Sequence, residues 1–145
     1  MATGYLYNSF KSNAFSPLVD FANDTLKVAL LEDSYTPSID NDEYFDDISA
    51  NELAIGGGYT AGGKTVGGKS VTVDTGTNKS VFDCGDPEWT ADGTGFTCRY
   101  AVLYKSTGTP ANDVLIAYWD FGGNQNSISI AFTLVVNILG LIDAA

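Results

Sequence analysis

The sequence predicts an all-β domain, mainly antiparallel, folded as a β-sandwich or barrel-like unit with one short helix and an N-terminal arm. Three observations carry this. A chain of 145 residues has the usual length of one domain, so 1–145 reads as a single β domain with 1–16 as the arm. Hydrophobic residues are 44% of the chain and aromatic residues 12%, enough for a packed interior and too much for a disordered chain. Short runs of β-branched and aromatic residues recur between Gly, Asn, Asp and Pro turn signals, with little helical periodicity.

In chain order, PLVDFA and TLKVALL flank Asn23 and Asp24, two residues suited to a turn, and predict a hairpin in which Leu26, Val28 and Leu30 share one face. From Glu32 to Glu52 fall eight of the 18 acidic residues. Asp40 and Glu43 have the N-cap and N3 spacing of a helix start, with Tyr44 and Ile48 stacked on one side and Asp42, Asp46 and Asp47 outward. A glycine-rich passage, GGGYTAGGKTVGGKS, then leads into VTVDT, KSVFDC, GFTCRYAVLYK, DVLIAYWDF and SISIAFTLV, all strand-like. In the last, Ile128, Ile130, Phe132 and Leu134 alternate with Ser127, Ser129, Ala131 and Thr133, the period of a half-buried strand. A final apolar strand is predicted over 138–142.

Charge and composition exclude several functions. The formal net charge of -11 repels nucleic-acid phosphates and anionic membrane surfaces, so neither is an expected partner. The uncharged stretch 122–142 opens polar and lacks basic flanks, which reads as strand rather than membrane span. No basic-then-apolar leader pattern opens the chain. The absence of histidine removes the commonest general base near neutrality and the commonest metal ligand.

Two overlapping segments, Gly58 to Thr65 and Gly63 to Ser70, satisfy the phosphate-loop pattern G-x-x-x-x-G-K-[ST]. That chemistry needs a helix after the loop, whose N-terminus holds the phosphates. Here Val66-Gly67-Gly68 follows the first match and Val71-Thr72-Val73 the second, so a glycine loop entering a strand is expected and no nucleotide cofactor. Asp40, Asp42, Asp46 and Asp47 are hard oxygen ligands of the kind calcium takes. As an EF-hand loop, however, position 6 would be Phe45 and position 12 Asn51, so a solvated acidic helix face is expected and no metal site.

Cys84 and Cys98, with turn signals between them, are either a disulfide linking adjacent strands, worth roughly 3 kcal/mol by loop entropy, or two half-buried thiols. Without an imidazole neither is an activated nucleophile, and no G-x-S-x-G elbow marks a serine hydrolase. No catalytic apparatus is recognised, and no enzyme is predicted. Trp89, Trp119, Tyr100, Tyr104 and Tyr118 read as core or sheet-face packing first and as a sugar-stacking platform second.

The blocks TLKVALLEDSYTPSIDNDEYFDDIS, GGGYTAGGKTVGGKSVTVD, FTCRYAVLYKSTGTP and LIAYWDFGG, in this order over about residues 5 to 135, resemble small structural proteins encoded among the head and tail genes of tailed bacteriophages. The resemblance implies a virion component made in the host cytoplasm, with no catalytic residues to transfer. Its first implied role is a capsid decoration or cement protein on the outer capsid surface, partnered by the major capsid protein and itself a homo-oligomer, with a trimer favoured. A tail, neck or fibre component is the alternative within that class; outside it, a carbohydrate-binding module using the Trp and Tyr residues is the second alternative. In the decoration reading the aromatic cluster Tyr5, Leu6, Tyr7, Phe10 and Phe15 is the contact of the N-terminal arm with a neighbouring subunit.

Overall fold

A computed structural model describes residues 3–16 and 18–136. It is mainly antiparallel β, built on a five-stranded sheet in the order β1-β8-β7-β2-β3. The strands are β1 (Thr3–Leu6), β2 (Leu26–Leu31), β3 (Lys64–Thr65), β7 (Phe96–Lys105) and β8 (Leu115–Ser127). Two further two-stranded ribbons pair β4 (Ser70–Asp74) with β5 (Lys79–Asp83) and β6 (Glu88–Thr90) with β9 (Ala131–Thr133). The main sheet is open, with β1 and β3 at its edges, which favours a sandwich-like arrangement over a closed barrel.

Both faces of this sheet are covered, and the sequence of its central strands reflects that. Strands buried on two sides read as continuous apolar runs rather than alternations, as in Tyr100–Tyr104 and Leu115–Trp119, every one of which is buried. On one face Leu26, Val28, Leu30, Leu103, Ile116 and Trp119 form a core with Trp89 of β6, Tyr59, Val66 and Phe10, with Phe82 of β5 packed at its margin. On the other, Ala29, Leu31, Val102 and Leu115 meet Tyr7, Tyr35, Phe45 and Ile48. The expected sharing of one face by Leu26, Val28 and Leu30 is therefore found.

Among the described residues there are two α-helices, where the sequence pattern predicts one. Helix α1 (Asn8–Phe15) occupies the segment expected to be a free arm, and that expectation is corrected. Strand β1 pairs with β8, Thr3 opposite Asp120 and Leu6 opposite Ala117. Tyr7 and Phe10 are fully buried in the chain's own two cores. Tyr7 and Phe10 of the aromatic cluster, with Leu6 packed beside them, are thus core material of this chain. Within it Leu6 is half-buried, Tyr5 is partly exposed and stacks on Tyr118, and Phe15 stands in solvent.

Helix α2 (Phe45–Ile48), prolonged by a 3-10 turn at Ser49–Asn51, starts later than the Asp40 to Glu43 spacing predicts. Asp47, not Asp40, makes the cap: its Oδ2 accepts from the backbone N–H groups of Glu43 and Tyr44 at 3.0 and 2.9 Å. The earlier aspartates are taken by other contacts. Asp42 Oδ2 accepts from the Ser38 N–H at 2.9 Å and from the Tyr35 hydroxyl at 2.7 Å, and Asp40 accepts from Asn8.

The hairpin expected around Asn23 and Asp24 is likewise replaced. Only β2 is a strand, and residues 18–24 form turns held by Asp20 and Asp24. Its partner is β7, with Leu26 opposite Lys105 and Leu31 opposite Tyr100. The strand predicted over 138–142 lies outside the described residues.

Candidate interaction surface

The sequence period puts Ile128 and Ile130 with Phe132 and Leu134 on one face of a strand. The structure keeps Leu134 buried and Phe132 half-buried, but it exposes Ile128 and Ile130 by 49% and 58%. The reason is local. Strand β8 ends at the buried Ser127, Ser129 adopts a positive φ of 55°, and the chain reverses into β9. Residues 128–130 are a connection, so the period-2 rule does not apply across them.

This connection belongs to a three-part loop assembly. The Asp92 N–H donates to the Gly57 carbonyl at 3.0 Å, the Ser129 N–H to the Asp92 carbonyl at 2.8 Å, and the Ala91 N–H to the Ile130 carbonyl at 3.0 Å. The Asp92 carboxylate also accepts from the Thr94 and Gly95 N–H groups. The backbones approach so closely that a Cβ on Gly57 would lie 1.8 Å from the Gly95 carbonyl oxygen. Ile55, one residue before this glycine run, is 74% exposed. Three large aliphatic side chains thus stand in solvent on loops fixed to one another by backbone bonds.

Other predicted sites resolve differently. Cys84 and Cys98 are free thiols, both buried, so the disulfide reading is corrected. The turn signals between them do not place them on paired strands: Cys98 lies on β7 opposite Gln125 of β8, whereas Cys84 follows β5 in a separate ribbon. Burial pushes the thiol of Cys84 up to about 11, with Asp83 and Asp86 adding to the effect, and that of Cys98 up to about 12.

The phosphate-loop matches run into β3 and β4, and a helix follows neither. Their backbone is committed within the fold. Gly63 has φ +75°, and a Cβ there would meet the Val28 carbonyl oxygen of β2 at 1.8 Å. The Gly62 N–H donates to Glu52 Oε1 at 2.5 Å, and the Gly62 carbonyl accepts from Tyr104 at 2.7 Å. Tyr59 donates to that same Glu52 oxygen at 2.6 Å. The glycines serve close packing of a loop on a sheet.

Among the described residues, no group of three or more Cys, Asp or Glu is arranged to hold a metal ion. Trp89, Trp119, Tyr100, Tyr104 and Tyr118 are each 7% exposed or less, so their ring faces are occupied by the core rather than offered to a sugar. Arg99 bridges Asp33 and Asp120 at 2.7 and 3.3 Å; these half-exposed ion pairs raise its already high pKa and contribute little stability. No helix among the described residues is long and apolar enough to cross a membrane.

No protein-family model, curated protein or solved structure matches this chain.

Proposed function

We propose that this protein is a virion structural protein, a capsid decoration or cement protein that binds assembled major capsid protein from outside and stabilises the head. The observation that carries the reading is the exposure of Ile55, Ile128 and Ile130 on the interlocked loops. Apolar side chains on a preordered backbone lose little conformational entropy on binding and suit a protein surface better than a small polar ligand. The order of the sequence blocks supports the virion class, and the net charge of -11 keeps the free protein soluble until it meets a basic surface.

The test is co-sedimentation of purified protein with assembled, undecorated capsids. The expected result is saturation at hundreds of copies per capsid, with Ile55→Ser, Ile128→Ser and Ile130→Ser together weakening binding at least about tenfold while the fold is retained. Saturation at a few dozen copies or fewer, or recovery of the protein only with tails, would replace the decoration role by a tail, neck or fibre role. No association with either particle would remove the virion reading.

A further inference from the structure

The β4–β5 ribbon has one apolar side that the described residues leave half uncovered. In its register Val71 lies opposite Phe82 and Val73 opposite Ser80, so these four share one side. Ser70, Thr72, Asp74, Lys79, Val81 and Asp83 share the other. Phe82 meets Phe10 and Phe21 edge-on, with ring centroids 6.3 and 5.4 Å away. From there the apolar stripe runs outward to Val71 and Val73, which are 48% and 71% exposed. Among the described residues the ribbon has no third strand. Two strands alone are marginal in water, and exposed β-branched residues on such a ribbon are stabilised by a further surface.

The root of this ribbon is also where the chain arrives after β9. The Leu134 N–H donates to the Pro87 carbonyl at 3.0 Å, and the Val136 N–H donates to Asp86 Oδ1 at 2.7 Å, just beyond the end of β5 at Asp83. Val136 is buried in the same core at whose margin Phe82 packs. At Val136 the backbone ladder has already given way to a side chain. Gly85, the next residue back along the facing strand, gives its N–H to the Gly67 carbonyl at 2.7 Å, so the pairing does not extend to it. The residues that follow therefore start from the foot of the ribbon.

Those residues are Asn137-Ile138-Leu139-Gly140-Leu141-Ile142, with four large aliphatic side chains and no charge. Their reach is sufficient: six extended residues span roughly 20 Å, and a five-residue strand such as β4 is roughly 17 Å long. Their chemistry selects a side. The side with Asp74, Lys79 and Asp83 does not suit such a segment, and the side with Val71 and Val73 does.

We propose that the Val71, Val73 and Phe82 side of the ribbon is the docking strip for this chain's own residues 138–142. The contact takes out of water two sets of aliphatic side chains that neither part can bury by itself, and it extends the core from Phe82 along the ribbon. It stands independently of the virion reading, because it concerns a single copy of this chain.

Nuclear Overhauser contacts between methyl groups, measured on the full chain labelled at Ile, Leu and Val, test it. The expected result is contact from Val71 and Val73 to at least one of Ile138, Leu139, Leu141 and Ile142, persisting when labelled chain is diluted with unlabelled chain. A chain shortened after Val136 gives a second reading. Amide exchange in β4 and β5 is expected to quicken at least about tenfold, with exchange in β7 and β8 unchanged. Valine methyls that touch none of those four residues overturn the proposal. Contacts found only between differently labelled copies assign the strip to a second copy and overturn it equally, and so does a ribbon whose exchange the shortening leaves unaltered.

Discussion

Tyr7 and Tyr35 meet hydroxyl to hydroxyl at 2.8 Å, joining the segment between β1 and α1 to the start of the acidic segment. Because the single Tyr35 proton is donated to Asp42 at 2.7 Å, the shared bond is one in which Tyr7 donates to Tyr35. The relay Tyr7 to Tyr35 to Asp42 fastens the acidic segment to the sheet. Replacing Tyr35 by Phe leaves the Tyr7 hydroxyl without its acceptor and Asp42 without one donor, an expected loss of about 1–3 kcal/mol. Tyr7→Phe removes only the terminal donor and is expected to cost less. Urea unfolding of both single variants and the double variant checks the order and gives the coupling.

Alkaline pH is expected to unfold the protein. Burial pushes the phenols of Tyr7, Tyr35, Tyr59 and Tyr104 above their ordinary value. Below about pH 10, the unfolded value, both states keep these protons and stability is complete. Above it the unfolded chain releases protons that the folded chain holds, so stability falls as pH rises toward the folded values. Urea midpoints measured from about pH 8 to 11, with tyrosinate absorbance followed in parallel, are expected to fall before the native protein shows its full tyrosinate signal.

The two thiols are expected to be inert in the native state. Cys84 and Cys98 are 5% and 0% exposed, and burial keeps them protonated well above neutrality. A thiol reagent at about pH 8 reacts only on opening, so its rate reports local or global unfolding. Both thiols are expected to react at once in denaturant. Rapid reaction of Cys98 in native buffer would contradict its placement in β7.

Phe10 and Phe15 lie on the same helix and are expected to behave oppositely. Phe10→Ala removes a fully buried ring from the core and is expected to cost about 3–5 kcal/mol. Phe15, 94% exposed, is expected to tolerate Ser within about 0.5 kcal/mol. Thermal melting of the two variants separates a structural N-terminal segment from an arm. Deletion of residues 2–15 is expected to prevent folding, because it removes β1, Tyr7 and Phe10 together.

Gly63→Ala is expected to destabilise by at least about 1–3 kcal/mol, the cost of the left-handed backbone alone, before the clash with the Val28 carbonyl is counted. Lys64→Ala, which keeps the loop but removes the cation of the first phosphate-loop match, is expected to leave stability within about 0.5 kcal/mol. Denaturant midpoints check both.

The strands were largely legible because their side chains carry the information locally. VTVDT, KSVFDC and GFTCRYAVLYK become β4, β5 and β7 close to their expected bounds. What the sequence did not show depends on contacts between distant segments. The run NSFKSNAF has no cap signature and no strong amphipathic stripe, and α1 forms because Phe10 has a core to enter. The cap of α2 lies at Asp47 rather than Asp40 because Asn8 claims the Asp40 carboxylate, a contact between segments far apart in the chain. In the interaction surface, SISI reads as alternation, and only the reversal at Ser129 turns its isoleucines outward. Ile55 carried no signal beyond its nearness to the glycine run.

The strand order also dictates when the fold can close. Thr3 pairs with Asp120, and Leu26 with Lys105, so the first two strands of the sheet await the last long ones. A topology this rich in distant pairings is expected to fold in milliseconds to seconds rather than microseconds. During synthesis β2, with its apolar run Leu26–Leu31, emerges well before β7 can cover it. The carboxylates that begin at Glu32 follow immediately, and their mutual repulsion opposes the strand-to-strand aggregation to which such a nascent chain is exposed.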